Sequence, residues 1–354
     1  MNRIKGAGFG VAAARALPRA LLIAILSLAG MGSLHAGEIT PGDRQAIIAR
    51  AGSLSRLHSL LVLHEGRPVV EHVVSGPGLS APAALKSLSK TILSALAGIA
   101  IERGVVEGTD QSIVELLHSR VPQSAAGKVD AITLGHALSL QTGLRSTSGR
   151  HYGAWVQSDN WVAHALTRPM IDEPGGRMIY STGSTHLVGA ALVEASGRSL
   201  LSLAREWLGE PLDVRVPDWM RDPQGIHFGG NEMSLSPRAL ARFGETYRLG
   251  GEIDGSRVIP PWWIEESWSP RGRSPWSGDD YGYGWFIDRI GGECAYYGRG
   301  YGGQALFVIP DVALTIVVIS DPTPPSSGGY FGGIKRLVAT VVDAAAQGRM
   351  GVRD

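Results

Sequence analysis

The sequence predicts an α/β (α+β) fold of two lobes, an antiparallel sheet flanked by N- and C-terminal helices with an all-α lobe inserted between its halves. Three observations carry this expectation. An apolar hairpin pattern lies early, between Leu60 and Val74; the chain from Val105 to Ser267 reads mostly as helices; and after Tyr281 the apolar period switches to two over four successive runs. At 354 residues, 44% of them apolar and 18% charged, the chain is globular in composition and too long for one ordinary core. A cleft between two lobes is where a ligand usually sits.

In chain order, Arg3, Lys5, Arg15 and Arg19 precede the apolar run Ala20 to Ala29 and the small residues ending at Leu34-His35-Ala36. This pattern predicts a secretory signal peptide over residues 1–36, hence export to the periplasm or beyond, with an uncleaved N-terminal membrane anchor as the alternative. No stable membrane association is expected once the signal is removed. Thr40-Pro41 opens a short helix, because proline suits a first helical turn. Leu60-Leu61-Val62-Leu63, a Glu65-Gly66 turn and Val69 to Val74 form the hairpin, and a Gly/Pro loop leads from it to Ala83. Helices follow over 113–119, 133–140, 160–166, 185–196, 200–208, 237–249 and 261–267, several opened by Ser, Thr or Asn caps. Strands are expected over 283–289, 293–297, 304–309 and 314–320, and a closing helix over 330–346. The α/β lobe is therefore 37–104 plus 268–346, the helical lobe 105–267, and 347–354 a tail.

Composition excludes several functions. Residues 1–36 hold four basic residues and no acid, so their loss turns 33 basic against 32 acidic residues into 29 against 32, a net of about −3. That leaves no basic surplus for nucleic acid. Cys294 is the sole cysteine, which excludes an internal disulfide and a thiolate metal cluster. The ten histidines are scattered and no His-Glu-x-x-His or calcium-loop pattern occurs, so neither a metal nor another cofactor is expected. A Gly-x-Ser-x-Gly elbow is also absent, which argues against the usual α/β-hydrolase esterase.

The stretch from Ala84 to Gly104 has apolar residues at helical spacing: Leu85, Leu88, Ile92, Leu96 and Ile99. Ser87 falls in its first turn, and Lys90, three residues on, lies above it on the same face. A hydroxyl is a weak nucleophile at neutral pH. An amine held in a dry site loses its charge and accepts the hydroxyl proton, and the helix N-terminus favours developing negative charge. Ser-x-x-Lys is the acylation motif of serine β-lactamases and penicillin-binding proteins.

Further segments resemble the class C β-lactamase-related family in the same order. Ile132-Thr133-Leu134-Gly135-His136-Ala137-Leu138-Ser139-Leu140-Gln141-Thr142-Gly143-Leu144 is similar to the helix and turn after the nucleophile. Glu173 to Leu187 places Tyr180 at the tyrosine of the family's Tyr-x-Asn motif. Gly300-Tyr301-Gly302-Gly303-Gln304, followed by Phe307-Val308-Ile309-Pro310-Asp311, resembles the Lys-Thr-Gly strand. The resemblance spans roughly residues 45–346 and, through Ser158 to Val162 and Arg168-Pro169-Met170, is nearest in texture to 6-aminohexanoate-dimer hydrolases and related serine esterases.

The resemblance implies a β-lactamase-like fold and catalytic roles for Ser87, Lys90 and Tyr180, with Tyr180 as a second proton carrier that acts as a phenolate only with Lys90 beside it. It implies an oxyanion hole from the backbone N–H groups of Ser87 and Gln304. Substrate-binding positions would be Thr182, where the family has asparagine; Tyr301, where it has a cation; Arg299, two residues away; and Gly302 and Gly303, which let a substrate approach. Trp155 and Trp161, with Tyr152, Trp276, Tyr281 and Trp285, are candidates to line an apolar pocket. Loss of the family's lysine disfavours a buried carboxylate, so the expected activity is ester or amide hydrolysis of a small or peptide-like substrate. β-Lactamase or D-alanyl peptidase activity is the alternative, and a non-turnover, penicillin-binding-like recognition module a second one. The sequence does not fix the oligomeric state.

Overall fold

The computed structural model describes residues 38–350 apart from 126 and 326, all within one compact unit. The expected signal peptide lies outside the described residues. An antiparallel sheet of eight strands forms the scaffold: β1 Leu57–His64, β2 Arg67–Val73, β3 Gly272–Arg273, β4 Asp280–Tyr281, β5 Phe286–Ile290, β6 Glu293–Gly300, β7 Gln304–Ile309 and β8 Leu314–Ser320, in the order β2-β1-β8-β7-β6-β5-β4-β3. The N-terminal hairpin thus pairs with the last strand, Leu60 opposite Val318 and Val62 opposite Ile316. The fold class is the expected mixture of helices and antiparallel sheet.

Successive side chains of a strand point to opposite faces. Leu60, Val62, Phe307, Ile309, Ile316 and Val318 enter one apolar cluster with helices α1 Pro41–Ala51 and α11 Gly328–Met350. Their neighbours Leu61, Leu63, Leu306, Val308, Val317 and Ile319 enter another with the remaining helices. Both faces are therefore covered, which explains why β1, β7 and β8 carry continuous apolar runs, Leu60 to Leu63, Ala305 to Ile309 and Ile316 to Ile319, rather than alternating. The closing helix α11 also runs past the expected boundary at 346.

The second face meets α2 Ser89–Glu102, buried from Ser89 to Ala100 on every side. A helix apolar all round belongs at the centre of a fold. Around it stand α3 Ile113–Leu117, α4 Leu134–Leu138, α5 Tyr152–Val156, α6 Trp161–Leu166, α7 Thr182–Ser196, α8 Leu200–Ala204 with a π-helical extension Arg205–Gly209, α9 Pro237–Arg248 and α10 Pro261–Trp268. The expected caps are present: Thr133, Asn160 and Ser236 each accept a hydrogen bond from the first turn of their helix.

One boundary is corrected. α9 lies in the stretch expected as a separate helical lobe, yet it packs on β1, β7 and β8. Gly244 makes this possible, since a Cβ there would come within 2.8 Å of Leu306 and Thr315 on the sheet.

Candidate active site

The residues before α2 decide where Ser87 points. Ala83–Ala84 pairs with Ser234–Leu235, and Leu85 N–H donates to the Met233 carbonyl at 2.9 Å. Lys86–Leu88 then forms a 3-10 turn that feeds directly into α2. Lys86 enters this turn at φ +51°, and Glu232 on the facing segment has φ +60°. Both are left-handed and costly for non-glycine residues. Their side chains form an ion pair at 3.0 Å that ties the two strained positions together. The N–H of Ser87 precedes the first intrahelical acceptor and remains a donor available to a ligand.

Lys90 reaches back from the first turn of α2. Its Nζ lies 3.2 Å from Ser87 Oγ, 3.4 Å from Thr182 Oγ1 and 2.9 Å from the Gly230 carbonyl. Burial lowers its pKa from the ordinary lysine value to about 7, because a low-dielectric surrounding disfavours the ammonium. Thr182, at the start of α7, shares a 3.0 Å hydrogen bond with Ser148 Oγ, which also accepts from the Thr182 N–H at 2.9 Å. Gly230 has φ +76°, and a Cβ there would stand 2.8 Å from Lys90 Cγ. Only glycine brings its carbonyl to the amine this closely.

Tyr180 completes the cluster. Its ring centroid is 5.2 Å from Lys90 Nζ. Burial raises its pKa, opposed by a hydrogen bond with Ser87 and by the charge of Arg299. Burial therefore favours the neutral phenol, and the phenolate role that the resemblance implies depends on Lys90 beside it.

Ser87 and Tyr180 open onto a cavity of about 1260 Å³, which Lys86, Thr182, Arg299, Gly300, Tyr301 and Gly303 also line. The Gln304 side chain is fully buried: its amide donates to the Ser320 carbonyl at 2.7 Å and accepts from the Ser320 N–H at 3.1 Å, which pins β7 to β8 at the strand start that carries the Gln304 backbone N–H. Three expectations are corrected here. Gly300–Gln304 is not a continuous strand, because Gly302 and Gly303 have φ +85° and +104° and make the β6–β7 turn. Gly302 packs towards Pro322, outside the lining. Trp155 and Trp161, 0% and 3% exposed, pack with Phe228 and His186 in the helical core. Of the other aromatic candidates, Tyr152 and Trp276 line the cavity, whereas Tyr281 and Trp285 are core residues.

This geometry agrees with the comparison of the sequence to known families, in which the Beta-lactamase family matches residues 58–332. The chain belongs to the β-lactamase family. A comparison with curated proteins finds no match. Among solved structures, the chain is similar to a candidate 6-aminohexanoate-dimer hydrolase from Bacillus anthracis (TM-score 0.69, 19% identity, 89% of this chain and 84% of that one). It is also similar to a penicillin-binding protein homologue from Caulobacter crescentus (0.68, 19%, 87% and 99%) and to a D-stereospecific amidohydrolase from Streptomyces (0.64, 16%, 83% and 97%). At these identities the likeness is one of fold.

Within this β-lactamase-family site, sequence reasoning missed Ser148, Gly230, Lys86 and Glu232. The Gly229-Gly230 doublet was a legible signal, since adjacent glycines often mark close backbone approach. Nothing local marked Ser148 or Glu232. Behind Gly230, His186 on α7 accepts from the Gly229 N–H through Nδ1 at 3.2 Å and pairs through Nε2 with Asp222 at 3.0 Å. Both side chains are fully buried. Among the described residues no group of three or more His, Cys, Asp or Glu is placed to hold a metal ion.

Proposed function

We propose that this protein is an exported serine hydrolase that cleaves ester or amide bonds through an acyl-Ser87 intermediate. The observation that carries the reading is Lys90: its amine has a pKa of about 7 and lies 3.2 Å from Ser87 Oγ. At neutral pH an appreciable fraction is the free base, with a lone pair available to the hydroxyl.

Ser87 Oγ attacks the substrate carbonyl carbon as its proton passes to Lys90. The oxyanion meets the Ser87 N–H and a second backbone N–H from the β6–β7 turn, for which Gln304 is the expected donor. The turn there is closed by Gly303 N–H donating to the Gly300 carbonyl, and Gly300 abuts the Leu85 carbonyl and Lys86 beside the nucleophile. Donors of this kind contribute roughly 3 to 4 kcal/mol each. As the tetrahedral intermediate collapses, Tyr180 hands its proton to the leaving group and takes up the one held by Lys90, whose Nζ lies 5.2 Å from its ring centroid, so both return to their starting states. Water then attacks the acyl-serine by the same route in reverse.

Esters and amides are favoured over β-lactams because Tyr301 and Thr182 stand at the positions of the family's lysine and asparagine. Export is supported by the basic and then apolar character of residues 1–36. The test is intact-mass analysis after exposure to a fluorophosphonate, followed by turnover of short p-nitrophenyl esters, linear amides and a chromogenic cephalosporin. Single labelling that Ser87→Ala abolishes, with ester or amide turnover, is the expected result. Labelling at another residue, or full turnover by Ser87→Ala, overturns it.

A further inference from the structure

We propose that the cavity wall formed by Arg145, Arg150 and His151 is a subsite for a carboxylate carried by the substrate away from its scissile carbonyl. The proposal rests on the hydrolase reading and narrows it to acidic esters or amides. It also runs against the expectation that loss of the family's lysine at Tyr301 disfavours a buried carboxylate, for which Arg299 was the one compensating cation considered.

The argument begins with charge balance. The charged side chains facing the cavity are Lys86, Arg145, Arg150, Arg177 and Arg299 against Glu232 alone. Lys86 is neutralised by Glu232, and Arg177 by Asp172 at 3.3 Å. Arg299 lies over the rings of Phe286 and Phe331. Among the described residues, no carboxylate lies within 4.0 Å of Arg145 or Arg150. Without residues 1–36 the chain is net acidic, so this local excess of positive charge is not a reflection of overall composition.

The arginines are also held together. Arg145 N–H donates to the Pro169 carbonyl at 2.8 Å, bringing Arg145 beside Arg168. The Arg168 guanidinium has a buried Nε with no acceptor among the described residues. Arg150 Nε donates to His151 Nε2 at 3.3 Å, so that nitrogen is an acceptor and His151 presents its other N–H. Burial and then Arg168, Arg150 and Arg145 hold the His151 pKa below its ordinary value. Like charges gathered without counterions repel one another, and a carboxylate among them relieves that cost while accepting charge-assisted hydrogen bonds. Guanidinium forks suit a planar carboxylate better than an ammonium does. Trp276, Ile171 and Tyr301 supply apolar surface elsewhere around the cavity, so the fitting substrate has an apolar body and an acidic end.

The test compares p-nitrophenyl hexanoate with the mono-p-nitrophenyl ester of adipic acid, which has the same six-carbon acyl chain ending in a carboxylate. The ratio of kcat/KM, acidic over neutral, is measured for the wild type, Arg145→Gln, Arg150→Gln and the double variant, at low salt and at about 0.5 M NaCl. Expected is a wild-type ratio of about three to ten at low salt, the scale of two solvent-exposed charge pairs acting together. It should fall towards one in high salt and in the double variant. In parallel, calorimetry on Ser87→Ala protein compares binding of the N-hexyl monoamide of adipic acid with and without the two arginines. Arginine-dependent binding of at least about fivefold is expected. A wild-type ratio near or below one, or a preference that survives the double substitution, overturns the subsite and leaves the hydrolase intact. If neither ester is turned over but binding depends on the arginines, the hydrolase reading fails and the subsite stands. If both measurements are negative, both fail.

Discussion

Lys90 donates to the Gly230 carbonyl at 2.9 Å, so the nitrogen that faces Ser87 is aimed by a backbone group from a distant segment. One of its hydrogens is thereby committed, and the lone pair of the free base is left directed at the hydroxyl 3.2 Å away. Catalysis then depends on two conditions, the amine's protonation state and the position of the Gly229-Gly230 segment.

The first condition sets the pH profile. With Lys90 acting as base from a pKa of about 7, kcat/KM for a neutral ester rises with pH along a limb centred near 7 and flattens above it. Lys90→Arg keeps a positive charge that is not released in this range. Turnover should drop by at least about a hundredfold, the usual contribution of a positioned base. A flat profile between pH 5 and 9 in the wild type, or ordinary turnover by the arginine variant, removes Lys90 from the proton path.

The same shift has a stability consequence. Folding lowers the Lys90 pKa from 10.5 to about 7, so between those values the unfolded chain binds more protons than the folded one. Unfolding free energy from this group therefore rises with pH from about 7 to about 10.5, and the full penalty is present below 7. Lys90→Met has no such term. Relative to the wild type, its Tm should be highest near pH 6 and the advantage should shrink by pH 9, by an amount on the order of a few kcal/mol in ΔG. A Tm difference independent of pH contradicts the buried, neutral amine.

The second condition runs through His186. Its Nδ1 accepts from Gly229 N–H and its Nε2 faces Asp222, which also accepts from the Gln224 and Ile226 N–H groups. His186 touches no reacting atom and is a positioning residue. A His186→Asn side chain does not span both partners. Gly230 should lose its alignment, water should reach Lys90, and the acid limb of kcat/KM should move above 7 as kcat falls. Loss of folded protein alone lowers kcat without moving the limb, which separates the two explanations.

Much of this was legible in the sequence, for identifiable reasons. Strands such as Leu314–Ser320 and caps such as Asn160 are local features, and Ser87 and Lys90 share one helical turn. Tyr180 and Thr182 came from resemblance. What failed was what depends on long-range packing. Trp155 and Trp161 looked like site residues because they lie near site motifs in the chain, but a helix faces two ways and only tertiary contacts choose the face. Glu232 is 145 residues from Ser87 and reaches the site only because Ser234–Leu235 pairs with Ala83–Ala84. The three-residue turn at Tyr301 was hidden because glycines suit both a turn and an open strand edge.

Trp276 and Trp155 show how far apart two tryptophans of one apparent class can be. Trp276 is 68% exposed and meets the Tyr180 ring edge-on with centroids 5.7 Å apart, at the cavity lining. Trp155 is fully buried, donates through Nε1 to the Trp161 carbonyl at 3.0 Å and packs edge-on against Phe228. Trp155→Ala leaves a large cavity in the helical core and should cost about 3 to 5 kcal/mol of stability. Trp276→Ala removes no core contact, so its stability should stay within roughly 0.5 kcal/mol of wild type. Its effect should appear in catalysis, as a KM for long-chain or aromatic acyl esters raised several-fold while acetyl esters change little, because only the larger groups extend to the Trp276 ring. Thermal unfolding and a chain-length series of p-nitrophenyl esters measured on both variants decide the matter. If Trp276→Ala instead unfolds early, or shifts KM equally for every chain length, Trp276 is a structural prop for Tyr180 and not a wall of the acyl pocket.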